Sequence, residues 1–574
     1  MYTLGINAAF HDSAACMVKD GALVAAAEEE RFTQIKHGKR PIPFSAYELP
    51  YNAIAYCLQA AGIHLNDVDH FSYSFDPALM AGYPAITSSE IRLPLTTRAG
   101  YRENSEASPW ESLFLSYIIN APAHLIDGYP HHLQKDYHNS TIRPGRWHFI
   151  DHHLSHAASA FLPSPFTEAA ILTIDGRGET ATTTFNAGTD TDIQRIKQVD
   201  LPHSLGLLYE RVTTHLGFLH SSDEYRVMAL ASYGKPRFVN DFREMITLHK
   251  DGTYTISQED FDQRFGAARK RGASFTAHHF DIARSAQIVL QEAALELAGW
   301  LKKETGMEHL CLAGGVALNC VLNAHIRDSG MFRDIWIQPA AGDAGTALGA
   351  ALWTDAQLNN GHSSRGFKME HAFWGPGYTD EEIEEFLKWT KTPYKKMQHV
   401  AKETAELLAQ DHIIGWFQGR MEFGPRALGG RSILASPIAP HMQARLNELK
   451  DREDFRPVAP VVLEEQAAAW FEAAHPSPFM LFTHQVREDK KNKIPAVCHI
   501  DGSARIQTVK REQHPRYYET IREFETLTGV PVLVNTSFNS LGKPIVCTPR
   551  DALECFWTTP FDDLIIGDCH VSKL

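Results

Sequence analysis

The chain of 574 residues carries 55 Lys and Arg against 69 Asp and Glu, a net charge of -14. Hydrophobic residues make up 44% and charged residues 22%, which excludes wholesale disorder, collagen-like repeats and coiled coils. The acidic balance makes a nucleic-acid partner improbable, and no apolar run approaches the roughly 18 residues that a membrane span needs.

The eight cysteines are widely scattered and form no Cys-x-x-Cys pair. This pattern excludes a disulfide scaffold or a zinc ribbon and favours a reducing cytoplasm. At roughly 150 residues per domain, the length predicts three to four domain-sized units. We therefore expect a cytoplasmic, multidomain protein.

The first residues predict a β-hairpin, with strands at 3–7 and 14–18, a tight turn at 19–21 and a further strand at 22–27. A similar arrangement follows at residues 170–188, where strands at 170–175 and 180–185 flank a glycine turn and the segment 186–188 carries a second turn signal. Two such units indicate a duplicated α/β domain.

Further along, apolar spacing predicts a helix over 283–302 and a short strand over 310–312, and a Gly/Ala-rich stretch opens a helix that ends near Trp353. The polar composition of 359–366 is typical of a linker. Residues 76–147 lack periodicity and are predicted to be an insertion in the first domain. We divide the chain into domains at 1–355 and 370–574, joined by a linker at 356–369.

A metal site is the first candidate constellation. His152 and His156 are four residues apart, so on a helix their imidazoles share one face. Asp175 and Asp343 each lie in a strand-to-glycine turn and offer oxygen ligands. This donor set suits Fe(II), Zn(II) or Mn(II) better than Ca(II) or Mg(II). A helix start with exposed histidines is the alternative interpretation.

Glycine loops are the second candidate. Gly314 and Gly315 follow a strand and Asn319 begins a helix, which permits close approach to a phosphate or a nucleoside. The loops at 176–178 and 342–345 are similar. Each alone is as well explained by an ordinary turn, but three in one α/β domain favour nucleotide binding. The sequence has no Gly-x-x-x-x-Gly-Lys-Ser/Thr loop, which excludes a Walker-type motor.

The C-terminal part concentrates cations beside turns, which suits phosphate or carboxylate binding. These residues are Arg426, Lys450, Arg456 and Arg505, followed by Asn535 and Ser537. The alternative is a solvated surface, because acidic neighbours at 451–454 offer local salt bridges.

Taken together, these motifs closely resemble the O-carbamoyltransferase family, which includes nodulation carbamoyltransferases and enzymes that carbamoylate cephem, novobiocin, ansamycin and aminoglycoside antibiotics. The resemblance runs over 4–573 apart from the insertion. The most specific matching stretches are 11–15, 28–37, 152–156, 223–228, 314–319, 423–429 and 535–539.

The resemblance implies an actin-like, duplicated α/β N-terminal domain, similar to the tRNA threonylcarbamoyl transferase. It also implies an α+β C-terminal domain, similar to the threonylcarbamoyl-adenylate synthase. The C-terminal domain would convert carbamoyl phosphate and ATP, with Mg(II), into carbamoyl-adenylate and release pyrophosphate. The N-terminal domain would use Fe(II) or another divalent transition metal and pass the carbamoyl group to a hydroxyl of a small-molecule or sugar acceptor. The family also suggests a homodimer.

Carried over by position, the resemblance makes His11 the catalytic base and Lys36 a contact for the transferred group or the acceptor. The metal ligands would be His152, His156, Asp175 and Asp343. Nucleotide or adenylate contacts would be Gly314, Gly315, Asn319, Arg426, Lys450, Arg456, Arg505, Asn535 and Ser537.

Three rivals remain. A tRNA-modifying enzyme fits both domain types, but the chain is acidic and lacks a basic tail. A hydrogenase-maturation carbamoyltransferase would need zinc-binding Cys-x-x-Cys pairs. A non-catalytic iron- or nucleotide-binding regulator predicts bound ligand without turnover.

The sequence does not identify the acceptor. Four residues of the insertion are candidate contacts to the acceptor, and a purely structural role explains them equally well: Tyr129, His131, His132 and Tyr137.

Overall fold

Two five-stranded sheets in the N-terminal half share one strand order. The computed structural model describes residues 1–38, 49–79, 118–119, 121–127, 146–359, 367–540 and 542–573. When the five strands of each sheet are numbered by their order along the chain, both sheets have the strand order 3-2-1-4-5. In each sheet, three antiparallel strands are followed by two parallel ones. This repeat confirms the predicted duplicated, actin-like α/β fold.

The first sheet begins with the predicted hairpin. Its strands are β1 (Tyr2–Asn7), β2 (Ala14–Lys19), β3 (Ala22–Glu28), β4 (His70–Tyr73) and β5 (Trp147–Phe149). Between β2 and β3, Asp20 and Gly21 both have positive φ, of 49° and 78°. Two positive φ values in a two-residue loop match the right-handed twist of a hairpin.

The second sheet differs from the prediction in one place. Its strands are β6 (Glu168–Ile174), β7 (Ala181–Thr189), β8 (Asp192–Asp200), β11 (His309–Ala313) and β12 (Asp334–Ile337). The turn predicted at 186–188 is wrong, because β7 continues through it. A Cβ at Gly188 would lie 2.6 Å from the Phe161 ring, so this glycine marks close packing within a strand and not a turn.

Two helices fill the space between the sheets. The helix α4 (His152–Phe161) follows the first sheet and packs on β6 and β11, whereas α11 (Ala344–Leu358) follows the second sheet and packs on β1 and β2. The two helices also pack against each other. They are rich in alanine, so they bring the two sheets close together and place both helix N-termini near the carboxyl ends of the strands.

The C-terminal half contains a mixed eight-stranded sheet with the order β13-β22-β21-β14-β15-β20-β16-β19. Its strands are β13 (Lys395–Lys396), β14 (Ile414–Phe417), β15 (Arg431–Ala435), β16 (Ala459–Leu463), β19 (Gln507–Val509), β20 (Val532–Ser537), β21 (Asp563–Ile566) and β22 (Cys569–Ser572). Two-stranded pairs are formed by β9 (Ile246–Leu248) with β10 (Tyr254–Ile256) and by β17 (Thr483–Gln485) with β18 (Ser503–Arg505). The sheet packs against helices of the same half, which confirms the predicted α+β class.

The remaining α-helices of the described residues are α1 (Glu30–Thr33), α2 (Tyr51–Ala61), α3 (Ala121–Asp127), α5 (Leu205–His215), α6 (Glu224–Leu230), α7 (Val239–Met245), α8 (Phe261–Phe265), α9 (Ala277–Thr305), α10 (Cys320–Asp328), α12 (Asp380–Trp389), α13 (Val400–Ala409), α14 (Met442–Leu449), α15 (Ala467–Trp470), α16 (Pro515–Thr528) and α17 (Pro549–Thr558). None of the described helices has both the length and the apolar character needed to cross a membrane.

Two predicted features, the linker and the insertion, lie partly outside the described residues. The helix predicted to end near Trp353 runs on to Leu358, so the predicted linker 356–369 begins inside α11, and residues 360–366 lie outside the described residues. Most of the predicted insertion 76–147 is also outside, including Tyr129, His131, His132 and Tyr137. The domain boundaries therefore stay predictions.

Candidate active site

The four predicted metal ligands converge where both sheets end. His152 and His156 lie one turn apart on α4, Asp175 follows β6 directly, and Asp343 stands at the N-terminus of α11. The start of α4 is held by Asp151, whose side chain accepts a hydrogen bond from the Leu154 N–H at 2.6 Å. The structure thus brings all four side chains to one place.

The ligand atoms of this histidine–aspartate cluster all lie within 4.8 Å of one another, and the four residues are buried. The two imidazole Nε2 atoms stand 3.6 to 3.9 Å from oxygens of Asp175 and Asp343. Neither Nε2 has a hydrogen-bond partner among the described residues. Nitrogen and oxygen donors slightly too far apart to bond directly fit a small cation between them, with ligand distances of about 2.0–2.2 Å.

Buried hydrogen bonds orient this cluster. Each imidazole must present Nε2 inward, and His152 does so by placing its Nδ1 3.1 Å from the Ser74 carbonyl. The Ser74 hydroxyl in turn donates to Asn7 Oδ1 at 3.0 Å. Burial opposes a charge on His152, but the carboxylates of Asp343 and Asp175 outweigh it and raise the pKa of His152. Without a cation, the cluster therefore attracts protons.

Gly314 and Gly315 have a structural role at the same cluster. Gly314 has a φ of 92°, and a Cβ there would collide with the Ile174 carbonyl, so only glycine fits beside β6. The Gly315 N–H donates to Asp175 Oδ1 at 2.7 Å. The loop predicted to hold a nucleotide thus already orients a carboxylate of the cluster.

Asn319 is the N-cap of α10. Its Oδ1 accepts from the Leu322 N–H at 3.0 Å, and its amide donates to Gln287 at 2.9 Å. These bonds occupy the side chain, and its predicted contact with a nucleotide stays a prediction.

A second cluster adjoins the first and contains His11. Asp12 lies between two imidazoles: its Oδ2 is 2.9 Å from His11 Nδ1 and its Oδ1 is 2.8 Å from His37 Nδ1. The two rings are 4.1 Å apart. Burial would raise the pKa of Asp12, but His11 and His37 outweigh it and hold that pKa well below its usual range. Asp12 is therefore an ionised acceptor for both rings.

This second cluster is close to the first. The Phe10 ring packs edge-on against the His152 imidazole, with 5.2 Å between centroids. An ideal Cβ built on Gly342, the neighbour of Asp343, would lie 3.9 Å from Asp12 Oδ2. A proton acceptor and a candidate cation site thus share one region.

Tyr225 links this region to the C-terminal half. The Lys36 ammonium lies 5.6 Å from the centroid of the Tyr225 ring, and the Arg456 guanidinium lies 4.8 Å from the same centroid. Burial would raise the pKa of Tyr225, but the neighbouring cations, Arg456 and Lys36 foremost, lower it. Lys36, a predicted contact for the transferred group or the acceptor, therefore lies near the same Tyr225 ring as Arg456 of the C-terminal half.

The C-terminal cations form an arginine cluster against the N-terminal half. Its members are Arg426, Arg452, Arg456 and Arg505. Arg426 reaches across and donates to the Leu318 carbonyl at 3.4 Å. Burial and the neighbouring guanidinium of Arg505 lower the pKa of Arg426 to about 9. Burial and Arg456 likewise lower the pKa of Arg452 to about 9.

Several N–H groups of this arginine cluster have no partner in the described parts of the chain. They are Arg426 Nε, Arg452 Nη2 and Arg505 Nε. The Glu453 carboxylate lies 3.7 Å from Arg456 and 2.8 Å from Arg226. Positive charge with unsatisfied donors is costly in a buried place unless an anion binds there.

Lys450 extends this cationic region toward the end of β20. Its ammonium donates to the Ser537 carbonyl at 2.5 Å, to the Ser537 hydroxyl at 3.1 Å and to Asn539 Oδ1 at 2.6 Å. Asn535, on the same strand, donates to Gln507 Oε1 at 2.7 Å. The structure thus brings Lys450 and Ser537 together, and Asn535 lies two residues away on β20.

A buried ion pair fastens the two halves near these residues. Arg31 on α1 pairs with Glu28 at 3.1 Å and donates to the Gly424 carbonyl at 2.8 Å. Glu28 accepts from the Gly424 N–H at 2.8 Å. Gly424 is two residues before Arg426. The Arg31–Glu28 pair of the N-terminal half therefore fixes the loop that carries Arg426 in the C-terminal half.

Sequence reasoning missed several residues of the site. Asp12 and His37 stood in matched motifs, and their pairing could have been suspected from two histidines near one aspartate. Nothing local in the sequence marks Ser74 or Ser222, because each acts through a partner distant in the chain. Arg452 lies between the predicted Lys450 and Arg456, and its place in the cation-rich stretch could have suggested it.

Comparison with known proteins gives the family. A model described as the carbamoyltransferase N-terminus matches residues 2–352, and one described as the carbamoyltransferase C-terminus matches residues 405–573. The uncharacterized protein sll1178 of Synechocystis sp. is 41% identical, over 100% of this chain and 97% of its own length. The nodulation protein NolNO of Sinorhizobium fredii is 38% identical, over 99% of this chain and 80% of its own. The nodulation protein NolO of Bradyrhizobium diazoefficiens is 40% identical, over 74% and 79%. The chain therefore belongs to the carbamoyltransferase family and is a carbamoyltransferase.

Proposed function

We propose that this carbamoyltransferase is ATP-dependent and works in two places. Residues 370–574 would form carbamoyl-adenylate from ATP and carbamoyl phosphate, and residues 1–355 would transfer the carbamoyl group to a hydroxyl of a small-molecule or sugar acceptor. The observation that carries the proposal is the meeting of two opposite clusters, one of arginines with unsatisfied N–H groups and one of histidines and carboxylates, on either side of a single short turn, Gly315–Leu318.

The arginine cluster supports the activation step. ATP and carbamoyl phosphate are both anions, and their approach is repulsive unless cations offset the charge. Arg426, Arg452 and Arg505 offer unsatisfied donors for this purpose, and Mg(II) would accompany the triphosphate. One water is consumed in the balanced reaction: water releases phosphate from carbamoyl phosphate to give carbamate, and a carbamate oxygen then displaces pyrophosphate from the α-phosphorus of ATP.

The two clusters of the N-terminal half, one around His152 and one around Asp12, support the transfer step. In its neutral form, His11 would take the hydroxyl proton on Nε2, because its Nδ1 faces ionised Asp12 at 2.9 Å. His152, His156, Asp175 and Asp343 would hold Fe(II) or a similar transition metal, which supplies Lewis-acid polarisation of a phosphoryl or carbonyl oxygen. The buried position of these four residues keeps bulk water away from their ligand atoms.

The test separates the two steps. Purified protein is incubated with ATP, Mg(II) and carbamoyl phosphate while pyrophosphate is measured, and pooled hydroxylated metabolites are then added and searched for carbamoylated products. We expect the His11→Ala variant to release pyrophosphate and to carbamoylate none of the added metabolites. Loss of both activities in a folded His11→Ala protein would refute the division into two places.

A further inference from the structure

Ser222, His37 and Asp12 form a hydroxyl–imidazole–carboxylate series. Ser222 Oγ is 2.8 Å from His37 Nε2, and His37 Nδ1 is 2.8 Å from Asp12 Oδ1. The three residues come from separate segments, and all are partly exposed. This is the arrangement in which a base activates a serine and a carboxylate orients the base.

We infer that Ser222 is a nucleophile that carries the carbamoyl group covalently between the adenylate and the acceptor. The inference rests on the proposed function, since it names the path of the group within the front site. It assigns separate work to the two histidines: His37 serves Ser222, and His11 serves the acceptor.

Hydrogen-bond roles follow from the carboxylate. Ionised Asp12 can only accept, so both imidazoles place an N–H at Nδ1 toward it. In neutral His37, the Nε2 atom then carries a lone pair and accepts the Ser222 hydroxyl proton. One carboxylate therefore sets the tautomer of both rings.

The backbone around Ser222 is held in an unusual shape. Ser221 has a φ of 56°, which residues other than glycine seldom adopt. Its N–H donates to Glu224 at 2.8 Å and its hydroxyl to Glu210 at 3.0 Å. Asp12 also has a positive φ, of 46°, and Asn7 holds its carbonyl at 3.2 Å. Strain kept by surrounding hydrogen bonds is common at sites that position a reactive group.

The chemistry balances in two half-reactions. In the first, Ser222 Oγ attacks the carbamoyl carbon of carbamoyl-adenylate, the bond from that carbon to the phosphate oxygen breaks, AMP leaves, and the hydroxyl proton moves to His37 Nε2. In the second, the acceptor oxygen attacks the carbamoyl carbon and gives its proton to His11, while Ser222 Oγ leaves and recovers its proton from His37. The net products are the O-carbamoylated acceptor, AMP and one proton.

The experiment looks for the carrier directly. Wild-type protein is mixed with ATP, Mg(II) and carbamoyl phosphate without an acceptor, quenched in acid, and analysed by intact mass and peptide mapping. We expect an ATP-dependent increase by the mass of one carbamoyl group on the peptide that contains Ser222. ATP dependence separates this adduct from lysine carbamoylation by cyanate, which needs no nucleotide.

Matched variants complete the test. Ser222→Ala should release pyrophosphate but form no adduct and lose acceptor carbamoylation by at least about 100-fold. Ser232→Ala, which removes a hydroxyl that donates to Asp501 Oδ2 at 3.3 Å, should behave as wild type. Pyrophosphate release by wild type without an adduct, together with normal transfer by Ser222→Ala, would overturn the inference and leave the proposed function standing. Absence of any ATP-dependent pyrophosphate would instead refute the proposed function.

Discussion

The clusters of the N-terminal half (the front) and the arginine cluster of the C-terminal half (the rear) differ in how their charges are balanced. In the front, two imidazoles face two carboxylates and a third carboxylate lies between two further imidazoles, so each group has a partner of complementary character. In the rear, arginines face arginines, and burial with mutual repulsion lowers the pKa of Arg426 and of Arg452 to about 9. Under the proposed function, the N-terminal clusters would bind a cation and transfer protons, and the arginine cluster would bind an anionic substrate.

The contrast also separates two kinds of buried arginine within one short segment. Both leave Nε without a partner in the described residues, but Arg426 donates a long bond to the Leu318 carbonyl at 3.4 Å, whereas the Nη atoms of Arg431 donate to four backbone carbonyls, those of Pro376, Gln418, Gly419 and Gly430, at 3.0 to 3.1 Å. The first is available to a substrate, and the second holds the fold.

The largest effect is therefore expected from Arg426→Met compared with Arg431→Met. Arg426→Met should reduce ATP-dependent pyrophosphate release by at least about 100-fold and leave the free energy of unfolding unchanged or raised, because repulsion is relieved. Arg431→Met should lower that free energy by about 3–5 kcal/mol, because its carbonyl partners lose their donor. Urea unfolding and a pyrophosphate assay measure both. Equal destabilisation by the two variants would remove the distinction.

Metal affinity tests the front cluster. His152→Asn should weaken the binding of Fe(II) or Mn(II) by at least about 100-fold, because it removes a ligand atom. His153→Asn is the matched control, since His153 is the next residue and its Nδ1 bonds the Thr173 hydroxyl at 2.7 Å instead. Equilibrium dialysis followed by metal analysis decides. Comparable losses in both variants would contradict the assignment of ligands.

The pH dependence of stability sharpens the same comparison. His514, in the rear half, loses solvation without gaining a carboxylate, and burial lowers its pKa from 6.5 to about 4. Between pH 6.5 and pH 4, His514 is protonated in the unfolded chain but not in the folded one. Its contribution to the free energy of unfolding is therefore fully present above pH 6.5 and is lost as the pH drops toward 4. The loss amounts to at most about 3 kcal/mol.

His514→Asn should flatten this part of the profile. The asparagine retains a side-chain acceptor for the Tyr517 N–H, which His514 Nδ1 accepts at 3.4 Å. Unfolding free energies of the two proteins, measured from pH 7 to pH 4.5, should converge as the pH falls. A constant difference would mean that His514 does not titrate in this window.

The smallest effect concerns the ion pair between the halves. Arg226 and Glu453 are 2.8 Å apart, and both side chains are 27% exposed. Such a pair contributes less than about 1 kcal/mol and is screened by salt. Glu453→Gln should lower the melting temperature slightly at low ionic strength and not at high ionic strength. A large loss at both would show that this pair, and not the buried Glu28–Arg31 contact with Gly424, holds the halves together.

Local patterns in the sequence were enough to predict the hairpin, the helix that carries His152 and His156, and the repetition of the α/β unit, because each depends on residues close together in the chain. The prediction of a turn at 186–188 was wrong, because Gly188 lies in a strand where the Phe161 ring leaves no room for a Cβ. No local pattern in the sequence reveals that neighbour. The same limit applies to Gly315, whose N–H orients Asp175 across 140 positions of sequence.

The sequence by itself determined the residue types of the site, the duplicated α/β class and the membership suggested by its motifs, since these are properties of order and spacing along the chain. Only the tertiary structure decided which groups share a cluster: Asp12 between two histidines, Ser222 against His37, and arginines with N–H groups left unsatisfied. The physical reason is that a side chain's charge state, hydrogen bonds and unsatisfied donors depend on the partners that folding brings within a few ångströms, and those partners lie far away in sequence.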